Sequence, residues 1–332
     1  MAKHPFRHPR ISETHEKLLR KFLKLQPEQV EKEKDSFYKK FRESEAGRYK
    51  EASGFHCCYC GEKRDRLDLD HFYPKGIPKH QHPKSPLLEY YRCLAGEIKK
   101  YRLPEREDNF FINHEYPKTH ARLCIEPTNI IPACPDCNTG GKNIRDFADR
   151  PHKSGKLDRF PVEINNPDSP LLLHPGDNGI NWKTLLNYFD FIDLAGLRPP
   201  ESLQWSGTIR STIVLPRFDE SKPEIETLKA ATAIDIFGLN RKTLSEQRFR
   251  MRQIFLGILH GTANSAKAAT DNPKNPIEFI AENLPLHAAA FTIRAFICEN
   301  PHKLALLDVL REWLGDHFHD IEDLDQFMLP IQ

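Results

Sequence analysis

Two Cys-x-x-Cys pairs, Cys57/Cys60 and Cys134/Cys137, constrain this chain more than any other feature of it. Each pair presents two thiolates from one turn at a separation that tetrahedral zinc accepts, and four sulfurs leave the metal no open position. The zinc expected here is therefore structural. Residues 61–133, 73 in all, separate the two pairs, far more than a small zinc finger needs. The metal would thus tie together two distant pieces of chain. Cys58 breaks the spacing with either partner and reads as a packing thiol.

The preference for a metal over disulfides rests on compartment. Residues 1–10 lack the apolar core of a signal peptide, and no apolar run of roughly 18 residues occurs. The expectation is a soluble, cytoplasmic protein. With 39% hydrophobic and 29% charged residues the composition is that of a folded chain rather than a disordered one. The net charge of +2 excludes a strongly basic protein, so any nucleic-acid surface has to be local.

At 332 residues the chain exceeds what one core usually organises. Residues 1–52 read as an N-terminal helical segment, two helices broken near Pro27, with mixed-sign charges of an ordinary solvated face. Residues 53–149 hold the cysteine pairs and an insertion, 76–125, with a helix expected around Leu87 to Lys100. Arg66 to Pro74 alternates as a strand does, placing Asp70 and His71 at its end on opposite faces. A helix is expected over residues 138–149, with Gly140 and Gly141 weakening its first turn. Residues 150–222 form a Pro-rich mixed or β connector. From 223 to 332 helical periodicity returns, over 225–236, 241–260, 276–282, 287–299 and 304–313.

A closed four-sulfur site does no chemistry, so the candidate for chemistry is Asp70-His71. Hydrolysis of a phosphodiester needs a base to activate water and a cation to neutralise the phosphate. Imidazole suits the first task at neutral pH, and carboxylate or amide oxygens suit a hard cation. The order Cys-x-x-Cys, Asp70-His71, Asn129, Cys134-x-x-Cys137-Asn138, then Lys142, resembles the HNH endonuclease family in its zinc-stapled, ββα-metal form. The resemblance covers residues 56–147. It implies an α+β fold with an HNH core flanked by N-terminal helices and a mainly helical C-terminal unit. It further implies His71 as general base and Asn129 as the residue that braces the loop and orients His71. Asp70 and Asn138 would be ligands to a catalytic Mg2+ or Mn2+, and the substrate would be DNA. Lys75 and Lys142 are candidates for contacts to flanking phosphates. The long insertion makes Asn109, Asn113, His114 and His120 competitors for the role given to Asn129.

A second resemblance rests on Ile164-Asn165-Asn166-Pro167 and on Ala233 to Arg248, which includes Gly238-Leu239-Asn240-Arg241. These stretches look like the region after the nuclease core in HNH effectors of Septu-type and retron-linked anti-phage systems. That implies an ABC-type ATPase as partner. The plainer reading of Gly238 to Arg241 is a helix end, a Gly turn and the next helix. The alternative function is a non-catalytic zinc-stapled adaptor that binds nucleic acid or protein.

Overall fold

The computed structural model describes residues 9–75, 110–112, 118–140, 144–152, 154–156, 159–163, 166–174, 188–195, 209–217, 224–269, 293, 295–297 and 300–314. Helices α1 (Glu13–Leu23) and α2 (Pro27–Ala52) form an antiparallel pair packed through Phe22, Phe37 and Phe41. Ser12 caps α1 by accepting from the His15 N–H at 3.0 Å. Pro27 opens α2, where its missing donor costs nothing, and the Gln29 side chain accepts from the Gln26 N–H at 3.0 Å. The break expected near Pro27 is thus where the chain turns.

Strand β1 (Asp68–His71) pairs antiparallel with a later strand, Ile130–Ala133, in register from Asp68 opposite Ala133 to His71 opposite Ile130. Between them the insertion contributes β2 (Phe110–Ile112), so Ile130–Ala133 is β3. A single helical turn, α3 (Pro135–Asn138), follows at once and packs on β1. Strand β2 pairs with β4 (Pro161–Glu163), which pairs with β5 (Asn166–Pro170). Strands β6 (Phe189–Asp193) and β7 (Thr212–Pro216) form a separate antiparallel ribbon. Helices α4 (Glu224–Ile236) and α5 (Lys242–Ala269) pack on β7, and α6 (Lys303–Leu314) packs on α5. The chain is α+β, with small antiparallel sheets between helices. No described helix is long and apolar enough to cross a membrane.

Among the described residues of 138–149, the expected helix does not extend beyond Asn138. Gly140, at φ +72°, ends α3 in a left-handed turn, and described residues 144–149 are irregular. Asp146 is the reason: its carboxylate accepts from the backbone N–H of Ala148 and of Arg150, both at 2.9 Å, and pairs with the Arg150 guanidinium. A short acidic side chain has captured donors that a helix would have used. The helices expected around 87–100 and 276–282 lie outside the described residues.

Helices α4 and α5 meet at Gly238, whose φ is +58° and where a Cβ would come within 2.5 Å of the Ser154 side chain. Only glycine fits that turn. The next residue but one, Asn240, gives its side-chain oxygen to the Val214 N–H (2.6 Å) and its amide to the Val214 carbonyl (2.7 Å). The connection between the two helices is thereby pinned to β7.

Candidate functional site

Cys57, Cys60, Cys134 and Cys137 converge, their sulfurs all within 4.8 Å of one another. Cys60 and Cys134 lie 3.9 Å apart; zinc–sulfur bonds of about 2.3 Å at tetrahedral angles would hold sulfurs roughly 3.8 Å apart. The donor set, the distances and the burial fit a zinc ion. Two backbone bonds shape the turns: the Gly61 N–H donates to the Cys57 carbonyl at 2.8 Å and the Asn138 N–H to the Cys134 carbonyl at 2.9 Å. Burial pushes the Cys57 and Cys137 thiols well up, whereas the neighbouring thiols of Cys134, Cys137 and Cys57, aided by Arg241, pull Cys60 well down. Cys58 stands apart from the quartet, as its spacing implies. The six described cysteines are free thiols, and Cys93 and Cys298 lie outside the described residues.

A residue that sequence reasoning did not single out completes this centre. The buried Arg241, at the start of α5, donates to Cys60 Sγ (3.2 Å), Cys137 Sγ (3.6 Å) and Glu62 (2.6 Å). Burial opposes its charge, but Cys60, Cys137, Cys134 and Glu62 more than offset that and hold its pKa well above the ordinary value. A tetrathiolate around Zn2+ carries two negative charges, so a buried guanidinium against two of its sulfurs is the compensation such a centre requires. Glu62, Cys134 and Asp136 also cluster. Those carboxylates are already neutralised, by Arg64 at 2.9 Å from each and by Arg241, so the cluster is no second metal site.

Asp70 and His71 sit at the end of β1 on opposite faces. On one face the His71 ring packs on Tyr38 of α2, centroids 4.4 Å apart, and its Nε2 lies 2.9 Å from the Cys124 carbonyl. A carbonyl only accepts, so Nε2 carries the proton and Nδ1 the lone pair. Nδ1 makes no hydrogen bond to a described residue. Burial lowers the His71 pKa to about 3, with Lys75 and Lys156 adding to that effect and the Cys124 carbonyl and Asp35 opposing it. The imidazole is neutral throughout the physiological range.

Asn129 is buried and fully committed. Its oxygen accepts from the Tyr73 N–H (2.6 Å), and its amide donates to the carbonyls of Tyr73 and Leu123 (3.0 Å each). It clamps the chain leaving β1 to the turn before β3, while its own carbonyl accepts from the Phe72 N–H. It therefore supports His71 through the backbone and does not touch its ring. Of its expected competitors, His120 is described and packs on the Tyr73 ring at 5.0 Å; Asn109, Asn113 and His114 lie outside the described residues.

On the opposite face, Asp70 is engaged in a way the sequence did not announce. Tyr59, inside the first cysteine pair, donates to Asp70 Oδ2 at 2.6 Å and stacks on Phe237, centroids 3.9 Å apart. Burial, then Asp70, pushes the Tyr59 phenol well up, so it stays protonated. Lys156 brings its ammonium to 3.3 and 3.2 Å from the two carboxylate oxygens and donates to the His71 carbonyl. Asn138 is half-buried at the end of α3, and its side-chain amide makes no hydrogen bond to a described residue. A hard cation shared by Asp70 and Asn138 therefore meets one free ligand and one occupied ligand, and does not fit these side chains as they stand. Lys75 is likewise engaged, 2.7 Å from Asp35 and above the Tyr38 ring. Lys142 lies outside the described residues. No protein-family model, curated protein or solved structure matches the chain, so its function is argued from these side chains alone.

Proposed function

We propose that the chain is a zinc-stapled HNH-type endonuclease that hydrolyses phosphodiester bonds in DNA with His71 as general base. The observation that carries this reading is the state of His71: a neutral ring, its tautomer fixed by the Cys124 carbonyl, with Nδ1 left as the acceptor. In the proposed reaction Nδ1 takes a proton from water, the hydroxide oxygen attacks phosphorus, the bond to the leaving oxygen breaks as that oxygen takes a proton from solvent water, and His71 returns its own proton to solvent. A phosphate brought beside the ring raises its proton affinity, because negative charge stabilises the imidazolium. Asn129 positions the loop that carries the base. The zinc fixes α3 against β1 and does not meet substrate. The divalent cation that the HNH resemblance implies on Asp70 and Asn138 would supply charge neutralisation, but Tyr59 and Lys156 already occupy Asp70. The partner implied by the Septu-type resemblance, an ABC-type ATPase, belongs to the same proposal.

The test is cleavage of supercoiled plasmid, with and without Mg2+, by wild type and His71→Ala, each with zinc content measured. His71→Ala should lose about 100-fold or more in rate while retaining zinc. Equal rates for the two proteins would remove His71 as the base. The adaptor reading is favoured by one observation, that Asp70 is bound by Tyr59 and Lys156 as an ordinary buried carboxylate would be. Absence of cleavage on every DNA and RNA substrate, with bound zinc and retained nucleic-acid or protein binding, would select it.

A further inference from the structure

Asp70 already has a cation. Lys156 is 1% exposed, and its ammonium spans both oxygens of the carboxylate and the carbonyl of His71. Its backbone N–H donates to the Cys137 carbonyl at 2.7 Å, one residue before Asn138. The lysine therefore runs from the backbone beside Asn138 to the carboxylate of Asp70, and its charge ends on the oxygens that would bind a divalent ion. The backbone on the N-terminal side of this lysine is closely packed. Gly155 precedes it at φ +100°, so close to Gly140 that a Cβ would lie 2.2 Å from the Gly140 nitrogen, and the Gly155 N–H donates to Ile236 at 2.8 Å. Moving the ammonium away would break a buried ion pair and leave a buried charge uncompensated, which is strongly unfavourable.

We infer that Lys156 is the resident counter-cation of Asp70 and that it excludes a divalent metal from that carboxylate. The ammonium balances Asp70 and, through the His71 carbonyl, holds the peptide that carries the base, which makes it a positioning residue for the reaction proposed above. The inference rests on that reading only for its catalytic meaning; the ion pair and its effect on metal binding stand apart from it.

The experiment titrates Mn2+ into the zinc-loaded, full-length protein and follows free Mn2+ by electron paramagnetic resonance. Wild type and Asp70→Asn should bind Mn2+ alike, within about twofold, because Asp70 is not available. Lys156→Met should gain one site at least about tenfold tighter, and Lys156→Met combined with Asp70→Asn should lose it. Zinc content and thermal unfolding establish that each variant is folded. Should Lys156→Met lose zinc, the wild-type comparison with Asp70→Asn decides alone. Mn2+ binding by wild type that falls tenfold or more in Asp70→Asn overturns the inference, as does a folded Lys156→Met with no new site. A protein that cuts no DNA still answers this titration, and one whose Mn2+ site depends on Asp70 can still be a nuclease.

Discussion

Arg241 lies 3.2 Å from the sulfur of Cys60 across a sequence separation of 181 residues. A side chain from the helical C-terminal half therefore offsets part of the negative charge of a centre assembled from the first half. Arg241→Met should lower zinc affinity about 10- to 100-fold and destabilise the fold by about 3–5 kcal/mol, the usual cost of leaving buried charge without its partner. Competition with a chromogenic chelator and urea unfolding measure the two effects. Arg241→Lys should recover only part of each, since an ammonium cannot span two sulfurs and Glu62 as a guanidinium does. An Arg241→Met protein that holds zinc as tightly as wild type would show that the compensation lies elsewhere.

Metal content gives a second prediction. The purified protein should carry one zinc per chain, and Cys134→Ser should carry less than half of that and lose any nuclease activity, although Cys134 is assigned to the metal and not to substrate. Removing the zinc takes away the anchor of α3, and the turn holding Asn138 against β1 loses its position. Elemental analysis alongside plasmid cleavage provides the check; full activity without zinc would contradict it.

Asn129 offers a stability test of the brace. Asn129→Ala leaves the Tyr73 N–H and the Tyr73 and Leu123 carbonyls, all in or beside the core, without their partner. The expected cost is about 3 kcal/mol, read from urea unfolding. Because Asn129 does not touch the His71 ring, any cleavage activity should fall through misplacement of His71, and Asn129→Asp should not restore it, having no donor for the two carbonyls. A loss under about 0.5 kcal/mol would mean that the two segments hold each other without the amide.

Acid should act through His152. Burial holds its folded-state pKa at about 4, below the ordinary 6.5, with Asp146 opposing the shift and Arg159 adding to it. The unfolded chain thus accepts a proton that the folded protein refuses. Stability from this residue is present above pH 6.5 and drains away as pH falls toward about 4. By about pH 5 the loss is about 2 kcal/mol. His152→Gln, which cannot titrate, should narrow the stability gap between about pH 7 and about pH 5 by that amount. The thiolates contribute the same acid sensitivity to both proteins, so the difference isolates the imidazole. Parallel pH profiles for the two would exclude the assignment.

What the sequence made legible was whatever is encoded by short spacing. Two x-x cysteine pairs, a Pro at the start of α2 and an alternating run from Arg66 to Pro74 each carry their meaning within a few residues. Asn129 was legible only through its place in the HNH-like order, and its role as a brace follows from three backbone bonds that no pattern displays. Tyr59, Lys156 and Arg241 were not legible. Tyr59 sat in plain view between two cysteines, but nothing local says that its hydroxyl faces Asp70. Lys156 belongs to the Pro-rich connector, where no spacing singles it out, and its partner is 86 residues away. A signal for Arg241 did exist: four thiolates demand a cation, and Gly238-Leu239-Asn240-Arg241 offers one at a helix start, although many other arginines would have matched that demand. The helix expected over 138–149 failed for a local reason, since Asp146 competes for the same backbone donors.

The contact of Arg241 with the thiolates has a further consequence for how the chain can be divided. A fragment ending after the second cysteine pair would contain all four cysteines, together with Asp70, His71 and Asn129, yet it would leave Cys60 and Cys137 without the Arg241 guanidinium and Tyr59 without the Phe237 ring. That fragment is therefore expected to bind zinc more weakly than the whole chain. During synthesis, a zinc held by the four thiolates would lack the Arg241 cation until the chain had been extended past residue 241.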